Sequence, residues 1–132
     1  MQEEQRAAKP GGEPYDWYVR GLQLLAAGHP AAAAALLEHA ATAEPGSRSV
    51  REALARAQFG AGRFRNARDN FASIVEDNPT DDYAHFGLGL SASKLGDYDG
   101  AVEHLALAVA MRPDNRDYGS ALERARAARA RT

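Results

Sequence analysis

The chain has 132 residues, 45% of them hydrophobic but only 8% aromatic, and a formal net charge of −2. That suits one domain or a short repeat array, and the near-balanced charge gives no global sign of a nucleic-acid or membrane partner. With no cysteine, disulfides, thiol catalysis and Cys-ligated zinc are excluded.

Met1 to Glu13 is polar, and Pro10-Gly11-Gly12 cannot continue a helix. Residues 1–13 are therefore predicted to be a disordered arm. The start lacks the apolar run of a signal peptide, and no run of about 18 apolar residues is present to span a bilayer, so the expected location is the cytoplasm. Arginine outnumbers lysine by 14 to 2, and alanine and glycine are abundant, a bias expected of a GC-rich bacterial genome. Alanine dominates the apolar fraction and β-branched residues are scarce, which favours closely packed helices over strands.

From Pro14 a period of 34 residues sets in. It relates Pro45, Pro79 and Pro113; Gly28, Gly62 and Gly96; and Ala33, Ala67 and Ala101. Leu37, Phe71 and Leu105 keep the same spacing, as do Ala40, Ile74 and Ala108, and the small residues Gly21, Ala55 and Gly89. Internal repetition at this length signals a stacked array of supersecondary units. The glycines near 28, 62 and 96 would close a first helix in the left-handed region. The prolines would end a second helix by pushing the preceding residue off the α region. Mid-helix Gly21, Ala55 and Gly89 mark places where a neighbouring helix comes close, with Ala33, Ala67 and Ala101 as the expected counterparts. Helices are predicted over about 15–27, 31–43, 48–61, 64–77, 82–95 and 98–111. Ser47, Thr80 and Asp97 are the expected N-caps, with Ser49 and Glu52 at capping-box spacing as an alternative start. Pro30 suits a first helical turn. A seventh helix, from about Asp117 to Ala130, carries Tyr118, Ala121, Leu122 and Ala125 on one face and mostly arginines on the rest, as a lid on a solenoid end would.

A 34-residue helix–turn–helix unit with small, Gly, Ala, aromatic and Pro positions in this order resembles the tetratricopeptide repeat (TPR) family. The residues that carry the resemblance include Trp17, Gly21, Ala33 and Pro45; Ala55, Ala67, Phe71 and Pro79; and Gly89, Gly96, Ala101 and Pro113. Arg20 stands where the pattern has Leu, and Arg51 and His85 stand where it prefers Trp or another large apolar residue. The resemblance implies an all-α, right-handed solenoid of three repeats (14–47, 48–81 and 82–115), closed by a capping helix and short tail over 116–132. Trp17, Gly21, Ala33, Ala55, Ala67, Phe71, Gly89 and Ala101 would be packing positions.

It also implies a concave groove lined by the first helix of each repeat. The groove positions are Tyr15, Tyr18, Leu22 and Leu25, then Ser49, Glu52, Arg56 and Phe59, then Tyr83, Phe86, Leu90 and Ser93. Five of the chain's ten aromatics fall there. Exposed aromatics in a concavity suit a peptide or helix of another protein, although some could pack on a neighbouring helix or on the arm. A family subset grips a C-terminal carboxylate with a Lys/Asn/Asn/Lys/Arg clamp. Here those positions hold Tyr18, Leu22, Ala53, Tyr83 and Gly87, so that ligand is argued against.

No catalytic, cofactor or metal constellation is legible. His29 falls in a turn, His39 and His104 are expected to face solvent from second helices, and His85 is expected to be a half-buried packing residue. Gly-Arg-Phe-Arg and Gly-Leu-Gly-Leu lie within the repeat rather than after a strand, so they are not phosphate loops. Arg124, Arg126, Arg129 and Arg131 are spread around their helix without interleaved aromatics, which favours a solvated cap over a nucleic-acid surface. The expected function is a non-enzymatic adaptor or scaffold. The alternatives are self-association into a homo-oligomer and an RNA-associated accessory acting through the Arg-rich C-terminal helix.

Overall fold

The computed structural model describes residues 9–132; the first eight residues of the predicted arm lie outside the described residues. Among the described residues there are seven α-helices and no strand: α1 (Pro14–Ala26), α2 (Pro30–Ala43), α3 (Arg48–Gly60), α4 (Phe64–Asp77), α5 (Asp82–Lys94), α6 (Tyr98–Met111) and α7 (Arg116–Arg131). No helix of the described residues is long and apolar enough to cross a membrane.

The turns inside the hairpins are built identically. Gly28, Gly62 and Gly96 have φ of +85°, +81° and +84°, which only glycine adopts without strain. The next residue's N–H (His29, Arg63 or Asp97) reaches back to the carbonyl of Leu24, Gln58 or Ala92, closing each first helix in a Schellman-like motif. Ser47 Oγ accepts from Val50 N at 3.2 Å, Asp97 Oδ1 from Gly100 N at 3.0 Å and Asn115 Oδ1 from Tyr118 N at 3.1 Å. The α5 cap differs from expectation. Asp81 Oδ1, not Thr80, accepts from Ala84 N at 3.0 Å, while the Thr80 hydroxyl donates to Asn78 Oδ1. The carboxylate thus sits where both cap geometry and the helix dipole favour an anion.

Each helix packs on its neighbours in sequence. In addition α1 touches α3, α3 touches α5 and α5 touches α7, whereas α2, α4 and α6 make no such second-neighbour contacts among the described residues. The odd-numbered helices therefore form the tighter layer. A two-layer stack with one layer closer together curves toward that layer, so α1, α3 and α5 line the concave side.

At the small positions the side chain seated on the glycine is not the expected alanine. A Cβ on Gly21 would lie 2.6 Å from the Leu37 side chain, and one on Gly89 would lie 2.6 Å from Leu105. The side chain seated on each glycine is thus the leucine one turn beyond Ala33 or Ala101; the buried alanines flank it. In the middle hairpin Phe71 takes the leucine's place, Ala55 replaces the glycine, and the larger ring reaches onward into α5. A Cβ on Gly87 would stand 2.5, 2.5 and 2.6 Å from three Phe71 ring atoms.

The departures at Arg51 and His85 share one solution with Trp17. Trp17 Nε1 donates to the Gly11 carbonyl at 3.0 Å, Arg51 Nη2 to Pro45 at 2.6 Å, and His85 Nε2 to Pro79 at 2.8 Å. Three different side chains, 34 residues apart, each satisfy the carbonyl six residues upstream. The first of these bonds holds Gly11 against α1. Arg51 adds bonds to Ser73 Oγ and Asp77 Oδ2, both at 3.1 Å.

Candidate functional site

The concave layer carries two cavities. The first, of about 310 Å³, is walled by Leu22, Leu25 and Ala26 of α1, Arg56, Phe59 and Gly60 of α3, and Tyr83, Phe86, Gly87 and Leu90 of α5, with Phe71 of α4 among its lining. The second, of about 300 Å³, lies between the starts of α1 and α3, lined by Pro14, Tyr15, Tyr18, Glu44, Ser47, Ser49 and Val50. Of the expected groove residues, Leu22, Arg56, Phe59, Tyr83, Phe86 and Leu90 meet in the first cavity and Tyr15 and Tyr18 in the second. Glu52 lines neither and lies half-buried between them on α3.

These placements follow from helical spacing. Tyr15, Tyr18, Leu22 and Leu25 fall at i, i+3, i+7 and i+10, one face of α1. The same register repeats on α3 and α5. Tyr83 and Phe86 also do structural work, because an aromatic chain runs Phe71–Tyr83–Phe86–Tyr118 with ring centroids 6.2, 6.1 and 4.7 Å apart. Tyr118 belongs to the capping helix and is buried, and its hydroxyl donates to Asp82 Oδ2 at 2.7 Å. Burial, then the bond to Asp82 and its charge, push the Tyr118 hydroxyl pKa up. Burial likewise raises Tyr83, against the nearby Arg56 guanidinium. Phe59 pairs edge-on with Phe64 at 5.1 Å, and Lys94 Nζ lies 5.9 Å from the centroid of the Phe64 ring.

Glu52 has an unfavourable seat. Burial and then the Asp81 carboxylate raise its pKa, and the opposing pull of Arg56 and Arg48 does not reverse the shift. Among the described residues Glu52 forms no ion pair.

Three features escaped the sequence reading. Glu44, in the loop before α3, walls the tyrosine cavity, and no periodic position marks it. Phe71 reaches the groove as well as the core; its signal was the large residue at 71 against the small one at 87. The third is a histidine pair. His104 was expected to face solvent, but it is half-buried, and its Nδ1 lies 3.1 Å from Nδ1 of His85, itself 4% exposed. The residues are 19 apart on facing helices, a relation no single-helix spacing reveals. The 5.3 Å between ring centroids is the nitrogen contact plus one ring radius on each side, so the rings meet edge to edge. Because the Pro79 carbonyl can only accept, His85 carries its proton on Nε2 and accepts from His104 Nδ1–H. Burial lowers the His104 pKa, Glu103 and Asp97 oppose that, and His85 adds to it. Among the described residues no group of three or more His, Asp or Glu side chains could hold a metal ion.

The fold is thus an array of helical hairpins with a curved inner face. Residues 52–116 match the family model described as tetratricopeptide repeat, and this stretch of the chain belongs to that family. It is 31% identical over 107 residues to superkiller complex protein 3 of Mus musculus and 30% identical over the same length to that of Homo sapiens. Each alignment takes in 81% of this chain and 7% of the relative, so the chain spans a small part of those proteins. Among solved structures, the first TPR of Spaghetti (RPAP3), bound to the HSP90 peptide SRMEEVD, superposes with a TM-score of 0.81 at 18% identity, over 89% of this chain and 93% of that one. YrrB, described as a TPR protein with an unusual peptide-binding site, gives 0.80 at 22% identity over 86% and 59%. MamA gives 0.79 at 19% over 86% and 66%.

Proposed function

We propose that this protein is a non-enzymatic interaction module whose concave face receives a segment of a partner protein. One observation carries the reading. Three helices of the tighter layer bring Leu22, Phe59, Tyr83, Phe86 and Leu90 around one open cavity of about 310 Å³. A chain with few aromatics spends its rings there, and an apolar concavity of this kind is stabilised by a guest that removes it from water. Burying a ring or leucine contributes about 1.5–3 kcal/mol. The peptide-bound TPR of RPAP3 supports the reading by likeness of fold.

The test is capture of a partner from the native organism with full-length protein, compared with Tyr83→Ala/Phe86→Ala. Both rings also touch core neighbours, so a second variant, Leu22→Lys, accompanies it; the lysine stem still covers apolar surface while its ammonium enters the cavity. Both variants are expected to keep the wild-type helical circular dichroism and to lose the partner. A folded Leu22→Lys protein that captures the partner undiminished overturns the proposal.

A second reading is end-to-end self-association. It is favoured by a cavity of about 340 Å³ on the outer side of the first hairpin, lined by Leu24, Ala32, Ala35 and Leu36 among others. Light scattering over a concentration series decides it: a monomer at high micromolar concentration removes it.

A further inference from the structure

The two concave cavities differ in chemistry. The larger is walled by aromatic and aliphatic side chains with one charged member, Arg56, which already lies beside Glu52 and Tyr83. The smaller has two tyrosine rings, 6.5 Å apart and tilted by 46°, the hydroxyls of Ser47 and Ser49, and Glu44 as its one charged wall. Tyr15 is 72% exposed, unusual for so large a ring. Aromatic faces with a carboxylate at the rim suit a cationic side chain whose methylene stem lies along the rings. Between the cavities, Glu52 is half-buried and, among the described residues, forms no ion pair.

We infer that the partner segment carries a basic residue for the Tyr15–Tyr18–Glu44 cavity and a bulky apolar residue for the Leu22–Phe59–Phe86 cavity. This rests on the proposed function and specifies its ligand. The spacing follows from α1. Tyr15 and Leu22 are seven residues apart, about 10 Å along a helix. That distance is three residues of an extended chain or seven of a helical one. The cation would sit against Glu44, the one charged residue lining its cavity, whereas an acidic segment would meet that carboxylate and, between the cavities, the half-buried Glu52.

The test is selection of a random twelve-residue peptide library on full-length protein, with Leu22→Lys as counter-target. Enriched peptides are expected to pair Arg or Lys with Phe, Leu, Trp or Met at a spacing of three or seven. Fluorescence anisotropy of an enriched peptide is then expected to weaken about fivefold in Glu44→Gln and in Tyr15→Ala, the size an exposed cation–π contact or ion pair provides. Replacing the peptide's basic residue with alanine should abolish the effect of both substitutions. Enriched peptides that lack a basic residue, or that bind Glu44→Gln unchanged, overturn the inference and leave the groove reading intact. Enrichment no stronger on wild type than on Leu22→Lys overturns both. A concentration-dependent dimer that excludes every peptide assigns the face to a second copy and also overturns the inference.

Discussion

At the scale of single residues, two helical glycines of this chain face opposite surroundings. Gly87 faces Phe71, and any Cβ there would stand 2.5 Å from the ring. Phe71 is almost wholly buried, so it cannot swing away without disturbing the middle hairpin. Gly87→Ala is therefore expected to destabilise by about 1–3 kcal/mol, the usual cost of overpacking, and to narrow the cavity that Gly87 lines. Gly119 in α7 meets nothing within 4 Å, and its backbone is already helical. Gly119→Ala should stabilise by about 0.5–1 kcal/mol through the lost flexibility of the unfolded chain. Urea unfolding of the two variants beside wild type checks both signs at once. Equal shifts in one direction would mean that glycine propensity, not the local cavity, sets the outcome.

At the scale of elements, α5 and α6 are joined by a contact that depends on protonation. The unfolded chain takes up a proton on this histidine near pH 6.5. Folded His104 does so only at lower pH, because burial disfavours its charged form. Between those two values the unfolded state binds more protons. The contribution of His104 is thus complete above about pH 6.5 and declines as pH falls through it toward the folded pKa. His104→Asn places Nδ2 where the imidazole Nδ1 stood and keeps a donor for His85 without a titrating group. Urea midpoints measured from pH 7.5 to pH 5.5 should fall more for wild type than for His104→Asn, and parallel profiles would remove the histidine from this role. This pair marks where sequence reading ended. Helix order and the glycine closures were legible because they repeat at 34 residues and depend on backbone geometry. The His85–His104 contact, the reach of Phe71 to Gly87 and the part played by Glu44 were not, because each pairs residues on separate elements at spacings that occur once. The substitution of Asp81 for Thr80 as a cap falls between: both residues have the chemistry, and one residue of register decided it.

At the scale of the whole molecule, each helix leans on its sequence neighbours, with thinner contacts one helix further along the concave layer. Such an array is close to one-dimensional, and a local injury should weaken what lies beside it more than what lies at the far end. The capping helix tests this. Leu122, Ala121 and Ala125 close over Ala92, Ala101 and Leu105 in one apolar cluster, while the first hairpin packs around Leu37 and Ala33 in another. Tyr118 ties the cap to the groove through Phe86 and Asp82, so the lid also fixes one wall of the candidate site. Leu122→Ala removes a buried side chain and should cost about 2–4 kcal/mol. Hydrogen exchange followed by mass spectrometry is expected to show faster exchange in α5, α6 and α7, and little change in α1 and α2. Acceleration of equal size in all seven helices would instead show that three hairpins and a cap open as one unit. In that case the wall formed by Tyr83 and Phe86 could not loosen without unfolding the cavity formed by Tyr15 and Tyr18.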